Sequence, residues 1–240
     1  MSEHISRKEL KQDKVRETFE HGAEVVLSHT RIASIVLIAV IIAAVCYMGW
    51  KVYSDRQEVA AQAEFDEAFK IFNAQIPIPG QPTLPGEITY SDPLKRAEDA
   101  EVKFAVVANK FPNTKPGKLS RYYSALCLMD LNRLSQAAEE LSKINAGSDK
   151  ELGALADYQK ALIAERNGKT EEAIKTLRAL ATSGSVLVPK PLVLLELAGV
   201  LRQSDPKQAS TVYQQLKKDY PNSAISEEAD RGLQTIAPKS

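Results

Sequence analysis

The chain has 240 residues, with 31 basic and 31 acidic side chains and a formal net charge of zero. Such a balanced surface carries no electrostatic footprint for nucleic acid or for a strongly charged partner. Both cysteines, Cys46 and Cys127, sit in separate apolar stretches, so no disulfide framework or metal spacing arises; all three histidines, His4, His21 and His29, fall near the N-terminus, leaving the rest without imidazole for acid–base or metal chemistry.

The N-terminal tail, residues 1–31, contains a surface helix expected over 5–28. Ser6 and Glu9 have the spacing of a capping box, and Ile5 and Leu10 that of a hydrophobic staple. Val15, Phe19, Ala23 and Val26 then recur at helical spacing. This helix either lies amphipathically on a membrane or partner, or is a solvated lead into the next segment.

Residues 32–50, IASIVLIAVIIAAVCYMGW, carry no charge. As a helix they span ~28 Å, close to the ~30 Å hydrocarbon core of a bilayer. Tyr47, Trp50 and Tyr53 gather at one end, where amphipathic aromatics prefer the headgroup layer. The stretch has no polar stripe, unlike a core helix. Its 31-residue leader is long for a signal peptide. One transmembrane helix is therefore expected. Basic residues near its two ends tie, with Lys14, Arg16 and Arg31 against Lys51, Arg56 and Lys70. Arg7, Lys8 and Lys11 favour the tail inside and the domain outside. Ala39 and Ala43, four apart, would let another membrane helix approach.

Residues 51–240 read as one all-α domain. Without Gly or Pro between Trp50 and Ala74, the span is expected to run on into a helix covering 56–74. A loop with five prolines over 76–93 follows. A repeat then emerges. Ala100 with Phe104, Ala137 with Leu141, Ala173 with Leu177, and Ala209 with Tyr213 each place a small residue one turn before a bulky one. The alanines are 37, 36 and 36 residues apart. Val107, Ile144, Leu180 and Leu216 extend each face. Two segments close on the same phrase, Phe111-Pro112-Asn113-Thr114 and Tyr220-Pro221-Asn222-Ser223. This is the pattern of a tetratricopeptide-like helix-pair solenoid, in which the alanine admits a crossing helix.

Start and stop signals place helices at 92–110, 117–131, 134–145, 149–166, 170–182, 190–203, 205–219 and 223–236. Asp92-Pro93 and Asp205-Pro206 put a cap before a first-turn proline. Ser148 and Glu151 have capping-box spacing. Asn167-Gly168 ends one helix and Thr170-Glu171-Glu172 opens the next. The last helix is the solvent cap that a solenoid needs.

The tail Ser6-Arg7-Lys8-Glu9-Leu10-Lys11, the single span, the helix from Ala60 to Phe72 and the repeats together resemble a bacterial family. It is that of the membrane-anchored tetratricopeptide proteins grouped with the ancillary subunit of the SecYEG translocon. The resemblance implies an inner-membrane protein with a periplasmic repeat domain. It also implies association with the translocon and with envelope chaperones.

No residue set points to catalysis or to a cofactor. The acidic cluster Glu98, Asp99 and Glu101 beside Lys95, Arg96 and Lys103 reads as a solvated helix face. Arg121, Tyr122 and Tyr123 are candidates for a partner-binding groove, with burial of the aromatics as the competing reading. Val186-Leu187-Val188 is either packed under its neighbour, the favoured reading, or a partner patch. Two functions fit. One is a scaffold at the translocon binding membrane subunits, chaperones or secreted chains. The other is a coordinator of envelope assembly or cell division on the same repeats.

Overall fold

A computed structural model describes residues 30–77, 88–144, 147 and 149–236. The tail helix and its capping box, and most of the proline loop, lie outside those residues. The chain divides into two units, Met1–Arg56 and Gln57–Ser240.

The first unit holds the apolar part of helix α1, Thr30–Phe72, which runs unbroken through the unit boundary. It is long and apolar enough to cross a membrane, and all side chains from Ile32 to Trp50 are exposed. A helix apolar on every face has no solvent side, as in a core helix or a membrane span rather than a surface helix.

Among its described residues the second unit is helix and loops with one isolated bridge, Gln75 with Thr89. After α1 come α2 (Pro93–Lys110), α3 (Lys115–Asp130), α4 (Leu134–Ser142) and α5 (Lys150–Arg166). They are followed by α6 (Thr170–Ala181), α7 (Lys190–Ser204), α8 (Pro206–Asp219) and α9 (Ala224–Ile236). From α2 to α9 each helix packs on the next, and the end of α1 packs on α2 and α3 through its aromatic side chains. α9 covers α7 and α8.

The repeat alanines mark the crossings. Ala100, Ala137, Ala173 and Ala209 are all 0 % exposed. Their bulky partners Phe104, Leu141, Leu177 and Tyr213 are buried too. A larger residue at the alanines would hold the partner helix off its neighbour. Ile144 lies just past the end of α4 and is half-buried, so the third residue of that face is reached from the turn.

The two matching phrases are a stop, a turn and a cap in four residues. Phe111 and Tyr220 close their helices, each donating its N–H to the carbonyl one turn back, at Val107 and Leu216. Thr114 and Ser223 then cap the next helix, accepting from Gly117 N–H at 3.0 Å and Ser226 N–H at 3.2 Å. Because Thr114 is the cap, α3 starts at Lys115, two residues before the expected start. Asp92 and Asp205 cap α2 and α8 as expected, accepting from Leu94 and Gln208 N–H. Gly168, at φ +73°, supplies the left-handed turn after α5.

The expected Ser148–Glu151 box gives way to another arrangement. Ser148 lies outside the described residues. The cap of α5 is Asp149, whose carboxylate accepts from Leu152 N–H at 3.0 Å. With the cap one residue later, Glu151 is too early in the helix to reach back. Its Oε2 instead accepts from Ser185 Oγ at 2.6 Å and from Val186 and Leu187 N–H at 3.0 Å each. The carboxylate thereby fixes the loop between α6 and α7. Val188 is 2 % exposed and anchors that loop, but Val186 is 80 % and Leu187 56 % exposed. The expectation that all three pack inward is corrected: pinning their amides on Glu151 turns two side chains out.

These donors, Leu187 N–H first, hold the Glu151 carboxyl below the usual carboxylate range. A depressed folded value means the contribution is complete above the unfolded value, near 4.5, and is lost as pH falls through the folded one. Glu151→Gln should therefore raise hydrogen exchange at the Val186 and Leu187 amides at pH 7. In the wild type their protection factors should fall on acidification through the same window. Unchanged protection in the variant would show that the loop is held by Val188 alone.

Candidate functional site

The first helices of successive pairs, α3, α5 and α7, lie side by side, with α9 beyond α7. Tyr122 stands on α3, is 8 % exposed, and accepts a hydrogen bond at its hydroxyl from Gln159 Nε2 of α5 at 3.2 Å. Next to Gln159, Tyr158 donates its hydroxyl to Glu196 of α7. A polar ladder thus crosses three helices. Tyr122 and Tyr158 are 36 residues apart, the spacing of Ala137 and Ala173, so they occupy one repeated position.

The ladder is partly desolvated. Burial pushes the Tyr122 and Tyr158 hydroxyls above their ordinary range. Burial likewise raises the Glu196 carboxyl; its hydrogen bond to Tyr158 opposes this and the nearby Glu165 adds to it. No cation is among the groups acting on Glu196.

Beyond Glu196 the face opens into a cleft of about 460 Å³ among α7, α8 and α9. Gly199, Arg202, Tyr213, Glu228 and Arg231 line it with Glu196. Arg231 is ion-paired with Glu228 on its own helix. Arg202 is exposed and donates to Thr235 Oγ1 at 3.4 Å. The ring of Tyr213 lies on Gly232, where a Cβ would fall 2.4 Å from Cζ. That glycine lets the cleft floor sit close under the capping helix.

The residues singled out from sequence fall in different settings. Tyr123 is half-buried in an aromatic cluster, its ring centroid 5.3 Å from each of Phe69, Phe72 and Phe104. Arg121 has a side chain only 13 % exposed, bonded to Glu140 at 2.7 Å and to the Ala108 carbonyl at 3.1 Å. It ties α3 to α2 and α4. Ala39 and Ala43 are exposed on the apolar part of α1. Tyr122 alone of these joins the ladder, and Tyr123 stands beside it with the rings 5.7 Å apart. The other ladder and cleft residues are not singled out by the sequence reading. For Tyr158 the available signal was its 36-residue spacing from Tyr122, the same as that of Ala137 and Ala173.

The buried Cys127 thiol is 0 % exposed and pushed up to about 12 by burial, which leaves it protonated and inert. Among the described residues no group of His, Cys, Asp and Glu is arranged to hold a metal ion.

A family described as tetratricopeptide repeat-like domain matches residues 29–185. The chain belongs to this family. A second family, tetratricopeptide repeat, matches residues 192–223, the α7–α8 pair. Between them the two matches take in the four helix pairs. No curated protein matches the chain. In tetratricopeptide terms, α3, α5 and α7 are the first helices of their repeats, and the ladder runs along the face those helices make. Repeat domains of this kind are typically non-catalytic and bind proteins.

Proposed function

We propose that this protein is a non-enzymatic scaffold of the bacterial inner membrane. In this reading residues 32–50 span the bilayer, 1–31 remain in the cytoplasm, and 51–240 bind protein partners in the periplasm. The partners are subunits of the Sec translocon, periplasmic chaperones or emerging secreted chains. The observation that carries the binding role is the polar ladder from Tyr122 to Glu196 opening into the cleft. A packed solenoid has no structural use for a partly desolvated carboxylate without a cation. Tyr123 would add an aromatic edge for the partner, while Arg121 keeps α3 in register. Ala39 and Ala43 would admit a neighbouring membrane helix. The apolar, fully exposed stretch of α1 supports the anchor, and the resemblance of the tail and the repeats supports the translocon.

One membrane experiment with two readouts tests this. In spheroplasts, added protease should remove 51–240 and spare an epitope at Ser2. In native membranes, crosslinked translocon subunits should co-purify with the chain. Replacing Ile32–Trp50 by an unrelated span should lower their yield while the protein stays membrane-bound. Digestion of the Ser2 epitope with survival of the C-terminus would invert the topology. Equal partner yield from the detached domain would reduce the span to a tether and favour the envelope-coordinator function.

A further inference from the structure

We propose that the cleft among α7, α8 and α9 receives one lysine or arginine side chain of the partner, presented on an extended segment. The cation would rest on Glu196, and the segment's backbone would cross α7 at Gly199. This deepens the scaffold reading and rests on it.

Three observations converge. The first is charge. Glu196 is half-buried, lines the cleft beside the neutral Tyr158 hydroxyl and the like-charged Glu165, and among the described residues has no cation ion-paired with it. The two cations of the cleft are otherwise disposed, Arg231 on Glu228 and Arg202 out at the exposed rim beside Thr235. A basic group entering from outside would restore what burial has taken from this carboxylate.

The second is space. Gly199 sits inside α7, where glycine weakens a helix. Gly117 and Gly232 have steric reasons, since a Cβ at either would collide with Phe111 or Tyr213. Gly199 has none: a Cβ there meets nothing within 4 Å, and the residue borders the cleft. A helix glycine facing open space lets another backbone come close. The third is Leu195 in the same lining, a half-buried apolar surface suited to the alkyl stem of a basic side chain.

The test uses the full-length protein in detergent micelles and labelled nonapeptides of Ala, Ser and Leu. One pool carries a central Arg, the second a central norleucine, the third a central Glu. Fluorescence anisotropy should show the Arg pool binding about tenfold tighter than the norleucine pool. Glu196→Gln keeps the shape and should erase that preference. Gly199→Leu should weaken all pools together, since its Cβ enters open space and the longer side chain fills the crossing point. Circular dichroism confirms that both variants stay helical. Equal affinity for the three pools, no binding to any, or a preference untouched by Glu196→Gln would overturn the proposal. Tightest binding of the Glu pool would overturn it too, and would assign the cleft to Arg202 and Arg231. Crosslinked partners from native membranes separate the two levels. Partners recovered by the wild type without an Arg preference would sink only this inference. No partners at all would sink the scaffold function beneath it.

Discussion

Phe104→Ala should cost the repeat domain about 3–5 kcal/mol, the range for deleting a fully enclosed phenylalanine. Phe104 is 0 % exposed and is the hub of the first core. Its ring centroid lies 5.7 Å from Phe65, 6.1 Å from Phe72 and 5.3 Å from Tyr123. Those three come from α1 and α3, so this one side chain touches both neighbours of α2 at once. A solenoid gains stability pair by pair, and losing the first interface frees the end of the array before the rest. Val102→Ala, two residues away on the same helix, removes a side chain that is 54 % exposed and should change stability by less than ~0.5 kcal/mol. Thermal melts of the full chain in detergent, followed by far-ultraviolet circular dichroism, compare the two. The only tryptophan, Trp50, lies on the apolar part of α1 and would report poorly on the repeats. Indistinguishable melting of the two variants would show that the aromatic hub does not hold the first pair together.

Gly117→Ala should be nearly as damaging although it adds one carbon. The new Cβ would fall 1.8 Å from the Phe111 carbonyl oxygen and 2.7 Å from its carbon. Both are backbone atoms of the turn between α2 and α3, so no side chain can swing away. The same oxygen accepts from Thr114 Oγ1 at 2.9 Å, and Thr114 Oγ1 accepts in turn from Gly117 N–H. Moving α3 off the carbonyl breaks the cap as well as the turn. The expected loss is at or above the upper end of the ~1–3 kcal/mol typical of overpacking. Gly199→Ala is the matched control. It meets no atom within 4 Å and should hold stability or raise it by up to ~1 kcal/mol. The opposite order of melting temperatures would contradict the backbone contact at Gly117.

The alanine and its bulky partner were legible from sequence because both properties belong to single residues. Volume and spacing sufficed to place Ala100, Ala137, Ala173 and Ala209 at crossings before any contact was known. The Asp92 and Asp205 caps were legible for the same reason, each being decided within three residues. What escaped depends on distant partners. Glu151 fits a local box on paper, yet its partners lie 34 to 36 residues on. Arg121 looked like a groove cation, but Glu140 and the Ala108 carbonyl, on two other helices, occupy it. Thr114 was visible in a repeated phrase, and only the bond from Gly117 N–H identifies it as a cap. The ladder was hidden differently. The 36-residue spacing of Tyr122 and Tyr158 was open to inspection, but their partners Gln159 and Glu196 share hydrogen-bonding ability rather than size or charge.

The apolar interior is divided into three clusters rather than fused into one. The first and second both pack on Leu119 and Tyr123, and the second and third both pack on Leu155. Each of these side chains is only half-buried. Joints of that kind can tilt a little without opening any cluster, much as vertebrae move on their discs. The array therefore behaves as a spring with stiff segments and softer joints. Stretched or compressed along its length, it would change curvature first and lose helices last. A partner lying across several repeats would feel that change of curvature along its whole contact.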